Sequence, residues 1–273
     1  MLEDVTPGNA PQKGAIRRFL EMSPDSVPKT VFVAVAVCLV ASMVVSAAAV
    51  ALRPLQEINA LKDKQINILQ VAGIYDPGVD VVEAFEAFEP QILELETGTF
   101  TDQFDLATFD DRSAADDPAT SIDLTDDPAG IGRQAQFVTV YLLRDDAGDI
   151  DKVILPIHGY GLWSTLYGFI ALEENGNDIF GLQFYEHAET PGLGAEVDNP
   201  RWMSLWNGKR LADDDGVLQI SVSKAAPAAG GDYHIDALAG ATLTTVGVHN
   251  LVNFWMGEAG YAAFLENLRE GGV

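Results

Sequence analysis

The chain holds a single cysteine, Cys38, in 273 residues. One thiol cannot build a disulfide framework, a thiolate-held iron–sulfur cluster or a cysteine-rich zinc site. The histidines, His158, His187, His234 and His249, are scattered, and no pair stands at the helical spacing of a His-Glu-x-x-His zinc motif. They read as structural or surface residues. Cations are scarce, with 16 Lys and Arg against 41 Asp and Glu and a formal net charge of −25. So negative a surface repels phosphate backbones and anionic headgroups, which excludes nucleic acid as an expected partner. Internal repeats and low-complexity tracts are also lacking.

What charge there is lies unevenly. The first 30 residues carry four basic and four acidic groups, leaving 12 Lys and Arg against 37 Asp and Glu in the remainder. The acids are scattered rather than clustered, the pattern of a carboxylate surface that stays hydrated in high salt rather than of a cation site.

Val31 to Leu52 contains no charged residue. At 1.5 Å per residue a helix of that length spans roughly 33 Å, about the thickness of a bilayer core. A cleaved leader has a shorter apolar region nearer the start, so the stretch reads as an uncleaved transmembrane anchor in contact with membrane lipid. Lys13, Arg17, Arg18 and Lys29 precede it, and Arg53, Lys62 and Lys64 follow. The slight bias favours a cytoplasmic N-terminus and an exported C-terminal domain.

Four segments are expected: a tail over 1–30 with a short amphipathic piece near Ala15–Met22, the anchor over 31–52, a helical and irregular connecting part over 53–135, and a domain core over 136–273. Within the connecting part, Leu55–Gly73 reads as a helix continuing from the membrane. Val79–Glu96 reads as a second, with Val81, Val82, Phe85, Phe88 and Ile92 on one side. Thr97–Arg133, rich in Asp, Thr and Ala, reads as irregular. Strands are expected at Gln136–Leu143, Val153–Ile157, Tyr167–Leu172, Ile179–Tyr185 and Leu218–Val222, with a hairpin turn at Glu174-Asn-Gly-Asn-Asp178. Asn199-Pro200 starts a short helix, Asn as cap and Pro in the first turn. Thr244–Trp255 and Ala259–Arg269 read as closing helices. Helices before and after a mostly antiparallel sheet make this an α+β domain.

Three segments carry candidate chemistry. Pro156-Ile-His-Gly-Tyr-Gly-Leu-Trp-Ser-Thr-Leu-Tyr-Gly168 and Tyr185-Glu-His-Ala-Glu-Thr-Pro-Gly-Leu-Gly-Ala-Glu-Val-Asp-Asn-Pro200 each read as a glycine-rich loop after a strand, where backbone N–H groups approach a ligand closely. Trp163 and Tyr167 suit packing on a flat ring, and Ser164, Thr165 and Thr190 offer hydrogen bonds. Ordinary turn chemistry and a core Trp163 explain the same residues without a ligand. Gly159-x-Gly161 lacks the third glycine and the strand–helix–strand setting of a dinucleotide site. The third segment is Asp236-Ala-Leu-Ala-Gly-Ala-Thr242. Read alone it is either a helix start capped by Thr242 or Thr244, or an exposed threonine beside a nearly bare backbone at Gly240 and Ala241.

Together the motifs HGYGLWSTLYGF, HAETPGLGAEVDNPRW and DALAGATLTT resemble one family, the NqrC subunits of the bacterial sodium-translocating NADH:quinone reductase. The resemblance covers roughly residues 30–270 and is most specific between 156 and 248. The RnfG subunit of Rnf-type ion-translocating complexes shares the ETPGLG-like segment and the threonine and is the alternative. A membrane-anchored binding module without redox chemistry is the reading from another class. Ala239 stands where the family usually has Ser or Thr.

The resemblance implies an FMN-binding domain, with FMN joined to Thr242 through a phosphoester by a separate flavin transferase that uses FAD. It implies that Asp236, Gly240 and Ala241 belong to the attachment motif, and that Trp163, Ser164, Thr165, Glu189, Thr190 and Leu193 line the flavin. Lys224, at the end of the strand before the motif, becomes a candidate partner for flavin or phosphate charge. The implied role is an electron relay between a membrane iron centre and the FMN of NqrB, in a complex with the five other subunits NqrA, NqrB, NqrD, NqrE and NqrF. The domain is implied to lie on the periplasmic side of the bacterial cytoplasmic membrane. No general acid, base, nucleophile or metal ligand is expected on this chain.

Overall fold

The structure, a computed structural model, describes residue 19 and residues 21–225 and 230–272. The amphipathic piece expected near Ala15–Met22 lies largely outside the described residues. Two compact units are present, Met1–Ala60 and Leu61–Val273.

The first long element is helix α1, Val27–Val71. It merges the expected anchor and the helix expected after it, with Pro54 inside. Its apolar window has a mean hydropathy of 2.7, and none of that window is buried among the described residues. It has the length and composition of a membrane anchor.

The strands of the second unit begin with β1 (Phe88–Glu94), β2 (Thr99–Phe100), β3 (Ser121–Asp123) and β4 (Arg133–Ala135). They continue with β5 (Phe137–Arg144), β6 (Ile150–Tyr160), β7 (Thr165–Glu173), β8 (Asp178–Glu186) and β9 (Lys209–Arg210). Seven of them form an antiparallel sheet in the order β2-β1-β5-β6-β7-β8-β9, while β3 and β4 pair antiparallel with each other. The last turns of α1 are buried on one face of the large sheet through Ile68, Leu69 and Val71. Ile154, Phe169 and Ala171 face the end of α1 together with Val81 of the short helix α2 (Val81–Phe85). The alternate residues Val153, Leu155, Ile157, Leu166, Ile170 and Leu172 face the opposite side. The strands are therefore buried on both faces, and read as apolar runs rather than clean alternation.

Smaller helices complete the connections. Helix α3 (Asp111–Asp116) is capped by the Asp110 side chain, which accepts from Ser113 N. Helix α4 (Pro200–Met203) is capped by Asn199, as expected from Asn-Pro. Strand β10 (Ser221–Ser223) pairs parallel with β11 (His234–Asp236).

The sheet face opposite α1 is covered by helices α5 (Thr242–Met256) and α6 (Ala262–Arg269), which bury Val248, Leu251, Val252, Trp255, Phe264 and Leu265. Each such side chain taken from water contributes roughly 1.5–3 kcal/mol. The polar tips are satisfied: Trp255 Nε1 donates to the His158 carbonyl at 2.7 Å and the Tyr261 hydroxyl donates to the Pro156 carbonyl at 2.6 Å. Gly159 and Gly247 let α5 approach the sheet. A Cβ on Gly159 would stand 2.5 Å from Leu251 Cβ, and one on Gly247 would stand 2.5 Å from the Tyr160 carbonyl oxygen. The start of α5 is thereby brought beside the turn joining β6 to β7. The mostly antiparallel α+β architecture is the one expected.

The helix expected over Val79–Glu96 is a correction. It ends at Phe85, and Phe88–Glu94 is β1, pairing with β5 from Phe88↔Leu143 to Glu94↔Phe137. Pro90 is the physical reason, since it lacks the N–H and clashes with the preceding turn of a helix. A strand tolerates it because β2 reaches β1 only at Leu93 and Glu94, which leaves Pro90 on an edge. With β1 in the main sheet, the boundary expected at 135/136 falls inside one compact unit. The strand expected at Leu218–Val222 is shorter and shifted, to Ser221–Ser223.

Candidate functional site

The segment Pro156–Gly168 is not a loop. It consists of the end of β6 and the start of β7, in register from Pro156↔Phe169 to Tyr160↔Thr165. Only Gly161–Ser164 turns, closed by Gly161 N–H to the Ser164 carbonyl at 2.9 Å. The turn puts Trp163 at its tip, with 65% of its surface exposed. Trp163 is thus not a core residue. Thr165 is half-buried as the first residue of β7.

The second segment is a true loop. The His187 ring nitrogen Nε2 lies 2.7 Å from Asp198 Oδ2, and Nδ1 accepts from Glu189 N–H at 3.2 Å. With Nδ1 accepting, Nε2 carries the proton and donates to Asp198. The Thr190 carbonyl accepts from both Leu193 N and Ala195 N. Leu193 is exposed at the crest, and Thr190 is exposed beside it. Ser164 Oγ accepts from Ala188 N at 2.7 Å and so joins the loop to the turn.

Glu189 is buried, 5% exposed. Oε1 accepts from Leu162 N and Trp163 N, each at 2.9 Å, and Oε2 accepts from the Thr244 hydroxyl at 2.7 Å. Burial works to raise its pKa, but the donors from Trp163, Thr244 and Leu162 outweigh it and hold the carboxyl below its ordinary value.

The third segment ends on α5. Gly240 has φ of +75°, a left-handed conformation suited to glycine. Ala241 holds the N-cap position with no side-chain cap. The expectation that Thr242 or Thr244 caps the helix is therefore corrected: Thr242 is its first residue, and Thr244 is turned to Glu189. Thr245 is spent on the backbone, accepting from Leu238 N at 3.1 Å and donating to the Ala241 carbonyl at 2.9 Å. Thr244 and Thr245 are buried while Thr242 is exposed. Of the three threonines, only Thr242 presents a hydroxyl with no hydrogen bond to the described residues. The first helical bond runs from Thr245 N to the Ala241 carbonyl. The N–H groups of Thr242, Leu243 and Thr244 thus have no acceptor within the helix, and together with the helix dipole they favour a phosphate.

The structure brings together Trp163, Ser164, Glu189, Leu193, Gly240, Ala241 and Thr242; a Cβ on Gly240 would lie 3.1 Å from Leu193 Cδ2. Exposed Leu243 and Val246 continue the apolar surface along α5. Asp236 and Lys224 are not joined to Thr242 by any contact among the described residues. The Asp236 carboxylate is exposed, and its carbonyl accepts from Trp202 Nε1 at 2.8 Å. Lys224 is exposed just past β10. Gly161 and Gly194, read in the sequence as parts of glycine-rich ligand loops, instead make room for Glu189: a Cβ there would stand 2.6 Å and 2.5 Å from its carboxylate oxygens. A buried acid between two glycines in different segments has no local sequence signal.

Residues 161–257 match the FMN-binding domain family. The NqrC subunit of the Na(+)-translocating NADH-quinone reductase of Pseudomonas aeruginosa is 47% identical over 256 residues, covering 90% of this chain and 98% of the relative. The same subunit of Yersinia pestis is 48% identical over 91% of this chain and 96% of its own length. The chain belongs to the NqrC family of the Na(+)-translocating NADH-quinone reductases. Among solved structures, NqrC of Shewanella oneidensis superimposes with a TM-score of 0.71 at 36% identity, over 77% of this chain and 99% of that one. The corresponding subunit from Parabacteroides distasonis gives a TM-score of 0.61 at 27% identity, over 78% and 96% of the two chains. The site described above falls within the matched FMN-binding domain. Membership of the NqrC family, part of an oxidoreductase complex, displaces the reading as a binding module without redox chemistry.

Proposed function

We propose that this chain is the subunit of a sodium-translocating NADH-quinone reductase that carries FMN covalently on Thr242 and relays electrons between a membrane iron centre and the FMN of NqrB. The observation that carries the attachment site is the division of labour among three threonines. Thr244 is bonded to Glu189 and Thr245 to Leu238 and Ala241, which leaves the Thr242 hydroxyl exposed at a helix N-terminus.

The residues fit the group. The unpaired N–H groups at the start of α5 suit the phosphate, and exposed Trp163 and Leu193 suit the flat apolar ring. FMN, once bound, supplies the redox chemistry, while the protein supplies position and electrostatics. Attachment would form a bond from Thr242 Oγ to the FMN phosphorus of FAD, break the bond to the AMP portion, and pass the hydroxyl proton to solvent. A separate flavin transferase would carry out this step. Ala239, exposed where the family usually has Ser or Thr, forms no part of the bond. The anchor would place the domain at the outer face of the cytoplasmic membrane, in a complex with NqrA, NqrB, NqrD, NqrE and NqrF. Asp236 and Lys224, both exposed, stand as candidates for ordering the attachment motif and for pairing with flavin or phosphate charge.

Thr242→Ala, co-expressed with an active transferase, tests the reading. Loss of covalent FMN with the fold retained is expected; full covalent flavin in this variant would overturn it.

A further inference from the structure

We propose that Glu189 is a positioning residue of the flavin site, whose buried carboxylate clamps the Leu162–Trp163 turn to Thr244 and so fixes where Trp163 and Thr242 stand relative to one another. The proposal rests on the reading of Thr242 as the attachment residue.

Three segments far apart in the chain meet at this one side chain. Both oxygens are occupied: one by two backbone N–H groups of the turn, the other by a hydroxyl on the first turn of α5. Each bond has an ionised acceptor, which makes it stronger than a neutral one. Three of the roughly four acceptor sites of the carboxylate are taken up by the turn and by α5. Thr244 lies two residues after Thr242, and Trp163 carries the exposed ring, so the clamp spans the two ends of the site. The glycines at 161 and 194 have no Cβ where one would collide with the carboxylate, and the Gly194 Cβ would also stand 2.6 Å from Thr244 Oγ1. The loop that delivers Glu189 is itself tied, by His187 to Asp198 and by Ser164 to Ala188.

The test uses the full chain in detergent, made with and without flavin transferase. Thr244→Val removes the hydroxyl at nearly constant shape, and Thr244→Ser restores it; Glu189→Ala is the more severe variant and is not needed for the outcome. Amide hydrogen exchange is read on the unloaded chain. Thr244→Val is expected to speed exchange roughly tenfold at residues 161–164 and 238–245 while β5 to β8 keep their protection. Thr244→Ser is expected to exchange as the wild type does. On the loaded chain, Thr244→Val is expected to alter the visible circular dichroism of the flavin and its midpoint potential, with Thr244→Ser reverting both. Unchanged exchange and unchanged flavin signals in Thr244→Val would overturn the proposal, as would a failure of Thr244→Ser to rescue. A wild-type chain that takes no covalent flavin would overturn the underlying reading and the proposal together. That failure is told apart from failure of the clamp alone because exchange is read without flavin.

Discussion

The Thr245 hydroxyl stitches the approach to α5 onto the helix: it accepts from Leu238 N–H and donates to the Ala241 carbonyl. The residue is 4% exposed, so neither bond is replaced by bulk water when it is lost. Thr245→Val leaves the Leu238 N–H unpaired and is expected to cost about 1–3 kcal/mol. Urea unfolding of the detergent-solubilised chain checks this, with Thr245→Ser as the control that keeps the hydroxyl. A cost below about 0.5 kcal/mol, the low end for a hydrogen bond, would mean the stitch is not structural.

Gly247 allows a test of sign. Helix propensity alone predicts that Gly247→Ala stabilises α5 by about 1 kcal/mol. The added Cβ would stand 2.5 Å from the Tyr160 carbonyl oxygen and 3.0 Å from Gly161 Cα, both backbone atoms that cannot swing aside. The expected net effect is destabilisation of about 1–3 kcal/mol, with a displaced 161–164 turn. Thermal unfolding gives the sign directly.

Much of the fold was legible in the sequence. The strands from Phe137 to Glu186 announce themselves through β-branched and aromatic runs between Asp- and Gly-rich turns, and the Asn199-Pro200 start is local chemistry. Phe88–Glu94 was not legible as a strand. Phe85, Phe88 and Ile92 have helical spacing, and only Pro90 argued otherwise. The β6–β7 turn looked like a longer loop because Gly159, Gly161 and Gly168 suggest flexibility. In the structure each is bare because a neighbour packs there: Leu251, the Glu189 carboxylate, and the Gln183 carbonyl with Phe184. At the site, exposure of Thr242 was foreseeable from its small neighbours. The Glu189–Thr244 bond joins positions 55 residues apart and follows from no local pattern.

His158 supplies a pH prediction. Burial, reinforced by Arg112 and opposed by Asp127, lowers its pKa from 6.5 to about 4. Between those values the unfolded chain binds the proton and the folded chain does not, so stability falls as pH falls from 6.5 towards 4. The full window is worth about 3 kcal/mol. His158→Phe, which keeps an aromatic partner for Tyr167 and Trp255, is expected to flatten the slope of unfolding free energy over this range. An unchanged slope would remove His158 as its source. The Glu189 contribution, from a lowered pKa, is fully present above the ordinary carboxylate range and is lost progressively as pH falls from there through the lower folded value.

Salt gives a further expectation. A net charge of −25 repels itself, and raising salt from about 0.1 M to about 1 M shortens the screening length from about 10 Å to about 3 Å. Stability of the domain is expected to rise steeply over that range, as for a protein adapted to high salt. Indifference to salt in unfolding experiments would contradict that reading of the acidic surface.

The proposed function turns on the bond at Thr242, and mass spectrometry of the denatured chain, purified after co-expression with a flavin transferase, reads that bond itself. The expected result is an added mass of FMN less one water, carried by the peptide that contains Thr242. An unmodified chain, from cells in which the transferase is shown to act on a control substrate, would contradict the covalent attachment and the electron relay built on it.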